Sequence, residues 1–301
     1  MKTLLSMVMV VTLISLTAIP AVAQDDEAED AVAEVVTFPD AKLDELIREI
    51  LKRKEIDKVV DEEEEEINEG TITTEDLQTI SFLHGNGRGI TDLTGLEHCR
   101  NLAEVWLADN QITDVSPLTN SPNLQSLNLA DNRIADIEPL RKLKKLQYLR
   151  LDHNSIQQID AIADIEAIVA LYLEHNEITS LEPLAELPKL YAIYASHNQI
   201  SDLTPVGTVK LLERLDVSHN QIVDLSPLER LTEMRWTFLM ENKITDISPL
   251  VRMAKVDADG DQRFAPYWKL YLAANPLPAG AEGQLVELRE IGVRLDMEYV
   301  R

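Results

Sequence analysis

The sequence predicts an α/β solenoid, in which short parallel strands line one side and tight turns line the other. The first observation is a set of seven asparagines spaced 22 residues apart, at positions 110, 132, 154, 176, 198, 220 and 242. The second is the pattern of apolar residues around each asparagine, such as Leu127, Leu129 and Ile134 around Asn132. A fixed period of this length is the mark of a repeat architecture, in which each copy forms one coil.

Each copy predicts a strand, a turn and a short convex segment. Alternate leucines such as Leu127 and Leu129 predict a strand with one buried face. The asparagine follows at the place where the chain turns, and its amide can satisfy backbone groups inside the coil. A proline recurs in the second half of the copies, at 117, 139, 183, 205, 227 and 249, with Ala161 as the exception. Proline prevents a long helix, so short turns or 3₁₀ segments are expected there.

The copies run over residues 80–277 and predict nine parallel strands between two caps. Residues 37–79 form the N-terminal cap, because Leu43, Leu46, Ile47, Ile50 and Leu51 have the spacing of an amphipathic helix. This cap contains an acidic loop at 61–69. The period breaks after Met253, which predicts an insertion at about 254–266. Residues 278–301 read as a C-terminal cap with a helix, a stop at Gly292 and a closing strand.

The N-terminal end of the chain predicts export. Residues 1–23 combine a basic residue, an apolar run and an Ala-x-Ala motif, which is typical of a signal peptide. Residues 24–36 are rich in acid and predict a disordered spacer. We therefore expect a secreted, periplasmic or cell-envelope-associated protein without a membrane span after cleavage.

The net charge limits the classes of possible partner, and the cysteine content limits the possible disulfides. The chain has 28 Lys and Arg against 53 Asp and Glu, a formal net charge of −25. Nucleic acid is not an expected partner, because phosphate binding needs clustered cations. Cys99 is the single cysteine, so an intramolecular disulfide is excluded.

The 22-residue repeat with the text Ile-x-Asp-Ile-x-Pro-Leu, as in residues 244–250, resembles the internalin-like bacterial leucine-rich repeats. The Phe38-Pro39-Asp40 start and the Asn275-Pro276-Leu277 exit are similar to those of secreted members. The resemblance covers roughly residues 37–301. It implies a right-handed leucine-rich-repeat solenoid, or horseshoe, with a parallel concave β-sheet and helical caps, which binds through its concave strands.

The repeat register predicts which side chains face outward from the concave sheet. There are two outward columns, each of eight positions, and together they contain seven aromatic residues. The whole chain has 3 Trp, 7 Tyr and 4 Phe. Exposed aromatics in a contiguous patch usually mark a binding surface. The alternative is cross-strand packing that only stiffens the sheet. The candidate partner-binding residues are Trp106, Tyr148, Arg150, Tyr172, Tyr194, Arg214, Trp236, Phe238 and Tyr271. Arg150 and Arg214 are expected to anchor carboxylates of a partner.

Two further patterns suggest ions. His153, His175, His197 and His219 recur with the repeat, which favours a duplicated polar position. A metal site or a pH switch is the alternative. Asp257, Asp259 and Asp261 have the first three spacings of a calcium loop, although Gln262 and Trp268 depart from that motif. Calcium is the one cofactor that the sequence suggests, and an exposed Asp/Gly turn is the other interpretation.

These observations predict an exported, non-enzymatic module that recognises a protein or peptide through the aromatic concave face. The alternative is a glycan- or cell-envelope-associated structural protein that uses the same aromatics to stack on sugar rings. A third hypothesis, a metal-dependent enzyme built on the four histidines, has no nucleophile or metalloprotease motif in its support.

Overall fold

The computed structural model describes residues 33–58 and 70–296. The predicted signal peptide, the acidic loop and most of the acidic spacer lie outside these residues. None of the helices within the described ranges is long and apolar enough to cross a membrane.

One ten-stranded parallel sheet organises the repeats, and its strands follow one another in chain order. The strands are β3 Phe82–His84, β4 Glu104–Trp106, β5 Ser126–Asn128, β6 Tyr148–Arg150, β7 Ala170–Tyr172, β8 Ala192–Tyr194, β9 Arg214–Asp216, β10 Trp236–Phe238, β11 Lys269–Tyr271 and β12 Arg294–Asp296. Nine of them are the predicted repeat strands. The tenth is the closing strand β12, which pairs in parallel with β11 and so extends the same sheet.

Equivalent positions of neighbouring copies pair directly across the sheet. Leu127 lies opposite Leu149, and Tyr172 lies opposite Tyr194. The central residue of each strand is buried and its neighbours face outward, as alternation requires. The solenoid therefore converts a 22-residue spacing in sequence into columns of side chains on the sheet.

Short 3₁₀ turns form the opposite, convex side, as the prolines predict. They are Leu96–His98, Ser116–Asn120, Glu138–Lys142, Asp160–Asp164, Glu182–Leu184, Val206–Thr208, Ser226–Arg230 and Ala265–Tyr267. The copy with Ala161 instead of proline also forms such a turn.

One convex element differs from the expectation of short turns. Helix α3 spans Ser248–Asp259, twelve residues, with Pro249 in its first turn. Proline is tolerated there because the first N–H groups of a helix have no intrahelical partner. The predicted insertion therefore begins as an extension of the convex turn into a helix, which ends before Gly260.

The repeated asparagines stack inside the coils. Asn176 Nδ2 donates to the carbonyl oxygens of Leu151, Leu173 and Glu174 at 2.9, 3.1 and 3.2 Å. Its Oδ1 accepts from the backbone N–H of Ile156 at 3.0 Å. Each side chain thus links its own strand end to the previous copy. Asn275 continues this pattern after the insertion, donating to Leu239 and Leu272.

The N-terminal cap covers the first coil. Strands β1 Val35–Val36 and β2 Ile72–Thr73 form an antiparallel pair, and helices α1 Ala41–Lys58 and α2 Thr74–Gln78 complete the cap. Asp40 accepts hydrogen bonds from Lys42 and Leu43 of α1 and from Thr91 and Asp92 of the first copy. Burial raises the pKa of Asp40, but the hydrogen bonds outweigh it and lower this pKa to about 2.

Two further features join the caps to the repeats. Arg88, which stands where an asparagine is expected, pairs with Glu49 of α1 through two hydrogen bonds of 3.1 and 2.8 Å. At the other end, helix α4 Ala281–Ile291 stops at Gly292, whose φ of 107° lies in the left-handed region. Glycine adopts this conformation without the penalty that a Cβ would bring.

Candidate binding face

The nine predicted partner-binding residues all lie on strands β4–β11 and face outward from the sheet. We call them the aromatic stripe: Trp106, Tyr148, Arg150, Tyr172, Tyr194, Arg214, Trp236, Phe238 and Tyr271. The register that the leucines predicted brings them into two adjacent columns, since Arg150 lies opposite Tyr172 and Arg214 lies opposite Trp236. All nine are exposed or half-buried.

The centre of the stripe is a pair of stacked tyrosines. The rings of Tyr172 and Tyr194 lie 4.7 Å apart between centroids with an interplanar angle of 8°. Arg150 Cζ lies 4.9 Å from the centroid of Tyr172, and Arg214 Nη1 donates to the Tyr194 hydroxyl at 3.5 Å. Burial raises the pKa of Tyr172, so its hydroxyl stays neutral at physiological pH. Rings held in this way offer a rigid apolar surface with polar edges.

The C-terminal part of the stripe combines rings with cations. Phe238 and Tyr271 stack at 4.4 Å with an interplanar angle of 13°. Arg214 Cζ lies 4.3 Å from the ring centroid of Trp236, and Lys269 Nζ lies 5.5 Å from the same centroid. Both distances are within the range of cation–π attraction.

The two arginines of the stripe differ in their partners. Arg150 Nε and Nη2 donate to the carboxylate of Asp152 at 3.2 and 3.3 Å. The guanidinium of Arg150 is therefore already engaged by the protein. Arg214 has no carboxylate within ion-pair distance among the residues that the structure describes.

The sheet also presents two aromatic residues that the sequence reasoning missed. Phe82 of β3 is 62 % exposed, and the His84 ring stacks on Trp106 at 4.4 Å. His84 Nε2 lies 2.7 Å from Glu104 Oε1. The signal was available, because Phe82 and His84 lie one 22-residue period before Glu104 and Trp106. The atypical first copy obscured it.

Two alanines interrupt the stripe. Ala170 and Ala192 occupy the outward column between Tyr148 and Arg214, yet each is only 1 % exposed. Their small side chains leave room for larger neighbours to cover them.

The four repeated histidines form one continuous stack at the carboxyl ends of β6–β9. The ring centroids of His153, His175, His197 and His219 are separated by 4.1, 4.0 and 3.8 Å in turn. Their φ angles are 53–55°, in the left-handed region. His219 Nδ1 also lies 3.1 Å from Glu241 Oε2. No cluster of three or more His, Cys, Asp or Glu in the described ranges has the arrangement of a metal site.

The histidine stack and a neighbouring glutamate have shifted pKa values. Burial, followed by the charges of neighbouring histidines, lowers the pKa of His197 to about 4 and also lowers the pKa of His175. Burial raises the pKa of Glu174 to about 7, and the charges of Asp152 and Asp216 add to this effect. The Oε2 atom of Glu174 is buried without a hydrogen-bond partner.

Acidification is expected to destabilise a Glu174→Gln variant more steeply than the wild type. Between pH 6.5 and 4 the unfolded chain binds a proton at His197 that the folded protein does not, so stability falls as the pH falls. Between pH 7 and 4.5 the folded protein holds a proton on Glu174 that the unfolded chain releases, so stability rises as the pH falls. The two contributions oppose each other, and Glu174→Gln removes the second.

Thermal unfolding at pH 7, 6, 5 and 4 measures this difference. His197→Asn is the matched variant, because asparagine tolerates a positive φ. It leaves the Glu174 contribution unopposed, so its stability should rise relative to the wild type as the pH falls. Parallel profiles for all three proteins would show that neither group controls stability in this range.

The three predicted calcium ligands lie at the end of α3 and in the turn after it. Asp257 is buried, and its carboxylate accepts from the backbone N–H groups of Arg263, Phe264 and Ala265 at 2.9, 3.1 and 2.8 Å. Asp259 and Asp261 are exposed. The structure does not bring the three carboxylates into one ligand cluster. Asp257 acts as a local cap for the insertion, and calcium binding stays a prediction.

Comparisons with known proteins agree with this architecture. The family described as Leucine Rich repeats (2 copies) matches residues 122–164. No curated protein sequence matches the chain. Among solved structures, an internalin (inlF) from Listeria monocytogenes is 29 % identical, with a TM-score of 0.73, over 86 % of this chain and 69 % of that chain. Internalin C2 from the same organism is 25 % identical, with a TM-score of 0.58, over 88 % of this chain and 100 % of that chain.

A more distant similarity extends to a plant receptor. The structure of the plant peptide hormone receptor RGFR1 in complex with RGF2 is 19 % identical, with a TM-score of 0.53, over 62 % of this chain and 30 % of that chain. At this identity the similarity shows the fold alone.

The fold and these matches define a leucine-rich-repeat protein, and proteins of this kind are typically protein-binding modules. More narrowly, the chain is an internalin-like leucine-rich-repeat protein.

Proposed function

We propose that this protein is an exported, non-enzymatic binding module that recognises a protein or peptide through the aromatic stripe. The observation that carries the proposal is the set of outward rings and guanidinium groups that lie in two adjacent columns between Trp106 and Tyr271. Large rings that are already stacked lose little conformational freedom on binding, which favours a tight interface. The proposal of export is supported by the signal-peptide pattern of residues 1–23. The similarity to an internalin supports a surface or secreted location.

The nature of the stripe favours a peptide or protein over nucleic acid. The chain carries a net charge of −25, and carboxylates such as Asp152, Glu174 and Asp216 follow the stripe along its length. A phosphate backbone would be repelled by this surface. A polypeptide can instead offer its own cations to the carboxylates and its apolar side chains to the rings.

The glycan- or envelope-associated structural role is the second candidate. It is favoured by Tyr148, which is 45 % exposed and has no ring partner within the described part of the chain. Such a ring is free to stack on the apolar face of a sugar. The two candidates differ in the ligand and share the surface.

Replacing Tyr172 and Tyr194 together by alanine is expected to abolish peptide capture. Central aromatic residues carry most of the energy of an interface, and the loss of about 2 kcal/mol or more lowers affinity tens-fold. Selection of a random-peptide phage library on the immobilised wild-type protein, followed by titration of the selected peptides, measures the effect. Neither tyrosine belongs to the buried core, so the melting temperature should change little.

Val223→Ala is the control, because it removes an exposed apolar side chain outside the sheet. Normal binding by the double tyrosine variant together with weak binding by Val223→Ala would move the recognition surface off the sheet. Selection of no peptide, with tyrosine-dependent binding on a glycan array, would support the second candidate in place of the first.

A further inference from the structure

The C-terminal third of the sheet holds three cations without carboxylate partners in a strongly acidic protein. Arg214 and Lys269 lie on β9 and β11, directly opposite Trp236 of β10 on either side. Arg235 precedes Trp236, and its Cζ lies 5.4 Å from the ring centroid of Tyr267. We call Arg214, Arg235, Trp236, Tyr267 and Lys269 the basic cluster.

Six of the twelve other arginines in the described ranges form an ion pair within the protein. Arg48 pairs with Asp44, Arg88 with Glu49, Arg141 with Glu138, Arg150 with Asp152, Arg252 with Glu229 and Arg263 with Glu233. The three cations of the basic cluster make no ion pair within the described ranges. In addition, the Nε atom of Arg214 is buried and has no hydrogen-bond partner. A buried N–H group without an acceptor is unfavourable.

The nearby carboxylates are directed elsewhere. Asp216, on the same strand as Arg214, accepts from the backbone N–H and the hydroxyl of Ser218 at 3.0 and 2.6 Å. Glu233 pairs with Arg263. Glu213 adjoins Arg214 and acts on it through its charge, but its oxygens are not within ion-pair distance. The protein therefore surrounds the basic cluster with acid without neutralising it by contact.

The geometry of the cluster suits a carboxylate. The Arg214 guanidinium lies over the Trp236 indole, with Cζ 4.3 Å from the ring centroid. Nε is buried and Nη1 donates to the Tyr194 hydroxyl, so a planar acceptor would approach the terminal edge formed by Nη1 and Nη2. A carboxylate accepts two parallel hydrogen bonds from such an edge. Lys269 approaches the same ring from the next strand and supplies a second, point-like charge.

We propose that the basic cluster is an anion-binding subsite that holds two carboxylates of an acidic segment in the partner polypeptide. This proposal rests on the proposed function. Both cationic heads lie within 6 Å of the same indole centroid, so one short segment can reach them together. Side chains two residues apart in an extended chain lie on one face and about 7 Å apart. The subsite therefore fits an extended segment of the form Glu-x-Glu or Asp-x-Asp. Aromatic or apolar residues of the same segment would lie on the neighbouring stacked rings of Phe238 and Tyr271.

Two matched synthetic peptides test the proposal with the full chain. Both are fluorescently labelled and carry the same tyrosine and leucine residues, and one has Glu-x-Glu where the other has Gln-x-Gln. Fluorescence anisotropy should show about tenfold tighter binding of the glutamate peptide, and its affinity should fall as salt is added. Arg214→Gln and Lys269→Gln should each remove most of this preference. Arg214→Lys should lose part of it, because lysine keeps the charge and lacks the planar fork.

Arg230→Gln is the matched control. It removes the same charge from an exposed position at the end of a convex turn. Equal affinity for the two peptides, or an equal effect of Arg230→Gln, would overturn the subsite. Binding of a uronate polysaccharide such as alginate that displaces the glutamate peptide and exceeds its affinity would overturn the choice of a polypeptide.

The tyrosine variants separate this proposal from the proposed function. In one outcome, the protein with Tyr172→Ala and Tyr194→Ala binds neither peptide while Arg214→Gln and Lys269→Gln bind both with normal affinity. In that case the aromatic stripe binds the peptides and the anion-binding subsite is wrong. If neither set of substitutions changes binding, the proposed function fails with it.

Discussion

Replacing Asn176 by leucine is expected to lower the free energy of unfolding by about 3 kcal/mol, since several buried groups lose their partners together. The amide satisfies three carbonyl oxygens and one backbone N–H, and it is only 8 % exposed. Leucine has a similar branched shape but a larger volume, and it satisfies none of these groups. The carbonyls of Leu151 and Leu173 are at the turn out of two adjacent strands, so both coils should be affected. Urea denaturation monitored by circular dichroism measures the difference.

Thr179→Leu is the comparison for this prediction. It makes the same change from polar to apolar three residues later, at an exposed position. A solenoid is stabilised mainly by contacts between neighbouring copies, so the Asn176 variant should also broaden or split the transition. A midpoint equal to that of Thr179→Leu would show that the asparagine is dispensable.

The asparagines illustrate which parts of the fold a sequence can reveal. Their spacing, together with the alternating leucines, predicts the strands and the columns of Tyr172 and Tyr194, because each copy must place equivalent atoms in equivalent positions. The same logic extends to Asn275, which resumes the pattern after the insertion. A period in the sequence therefore predicts position, and position predicts which side chains meet.

The chemistry of the binding face was less accessible than its position. Arg150 and Arg214 both face outward, but Arg150 is the last residue of β6 and Arg214 is the first residue of β9, so they lie in different columns. Asp152 engages the first, and no described carboxylate engages the second. Both arginines have an aspartate two places along the chain, but Asp216, which follows Arg214, instead accepts from the backbone N–H and the hydroxyl of Ser218. The burial of Ala170 and Ala192 likewise depends on neighbouring copies. Properties that arise between copies are not visible in a single repeat.

Positions that depart from the repeat are not predicted by its period. Thr237 and Ala195 stand where other copies have a larger apolar residue in the core. Both are 0 % exposed. In the first case the residues after the insertion bring Trp268 into the interior, where its Nε1 donates to the Thr237 hydroxyl at 2.8 Å. A polar residue in one copy is thus matched by an aromatic residue 31 positions later, and no period links the two.

Replacing Trp268 by alanine is therefore expected to destabilise the protein by about 3–5 kcal/mol, as for other buried tryptophans. Its side chain is fully buried and lies edge-on to Phe264 at 5.6 Å. The insertion, α3 and the C-terminal cap all adjoin this position, so their amides should lose protection from hydrogen exchange first. A variant with unchanged exchange in residues 248–296 would contradict a central role for this side chain.

Thr237→Leu separates the hydrogen bond from the packing. The substitution restores the apolar residue of other copies but leaves the indole N–H of Trp268 buried and unpaired, so we expect a loss of about 1–3 kcal/mol. In a Trp268→Phe background there is no N–H to satisfy, and the same substitution should then be nearly neutral or stabilising. A double-mutant cycle measured by urea denaturation gives the coupling between the two side chains. A Thr237→Leu protein more stable than the wild type would mean that the repeat consensus outweighs the hydrogen bond. A destabilisation by Thr237→Leu that occurs with Trp268 and is absent in the Trp268→Phe background would show that the insertion and β10 are adapted to each other.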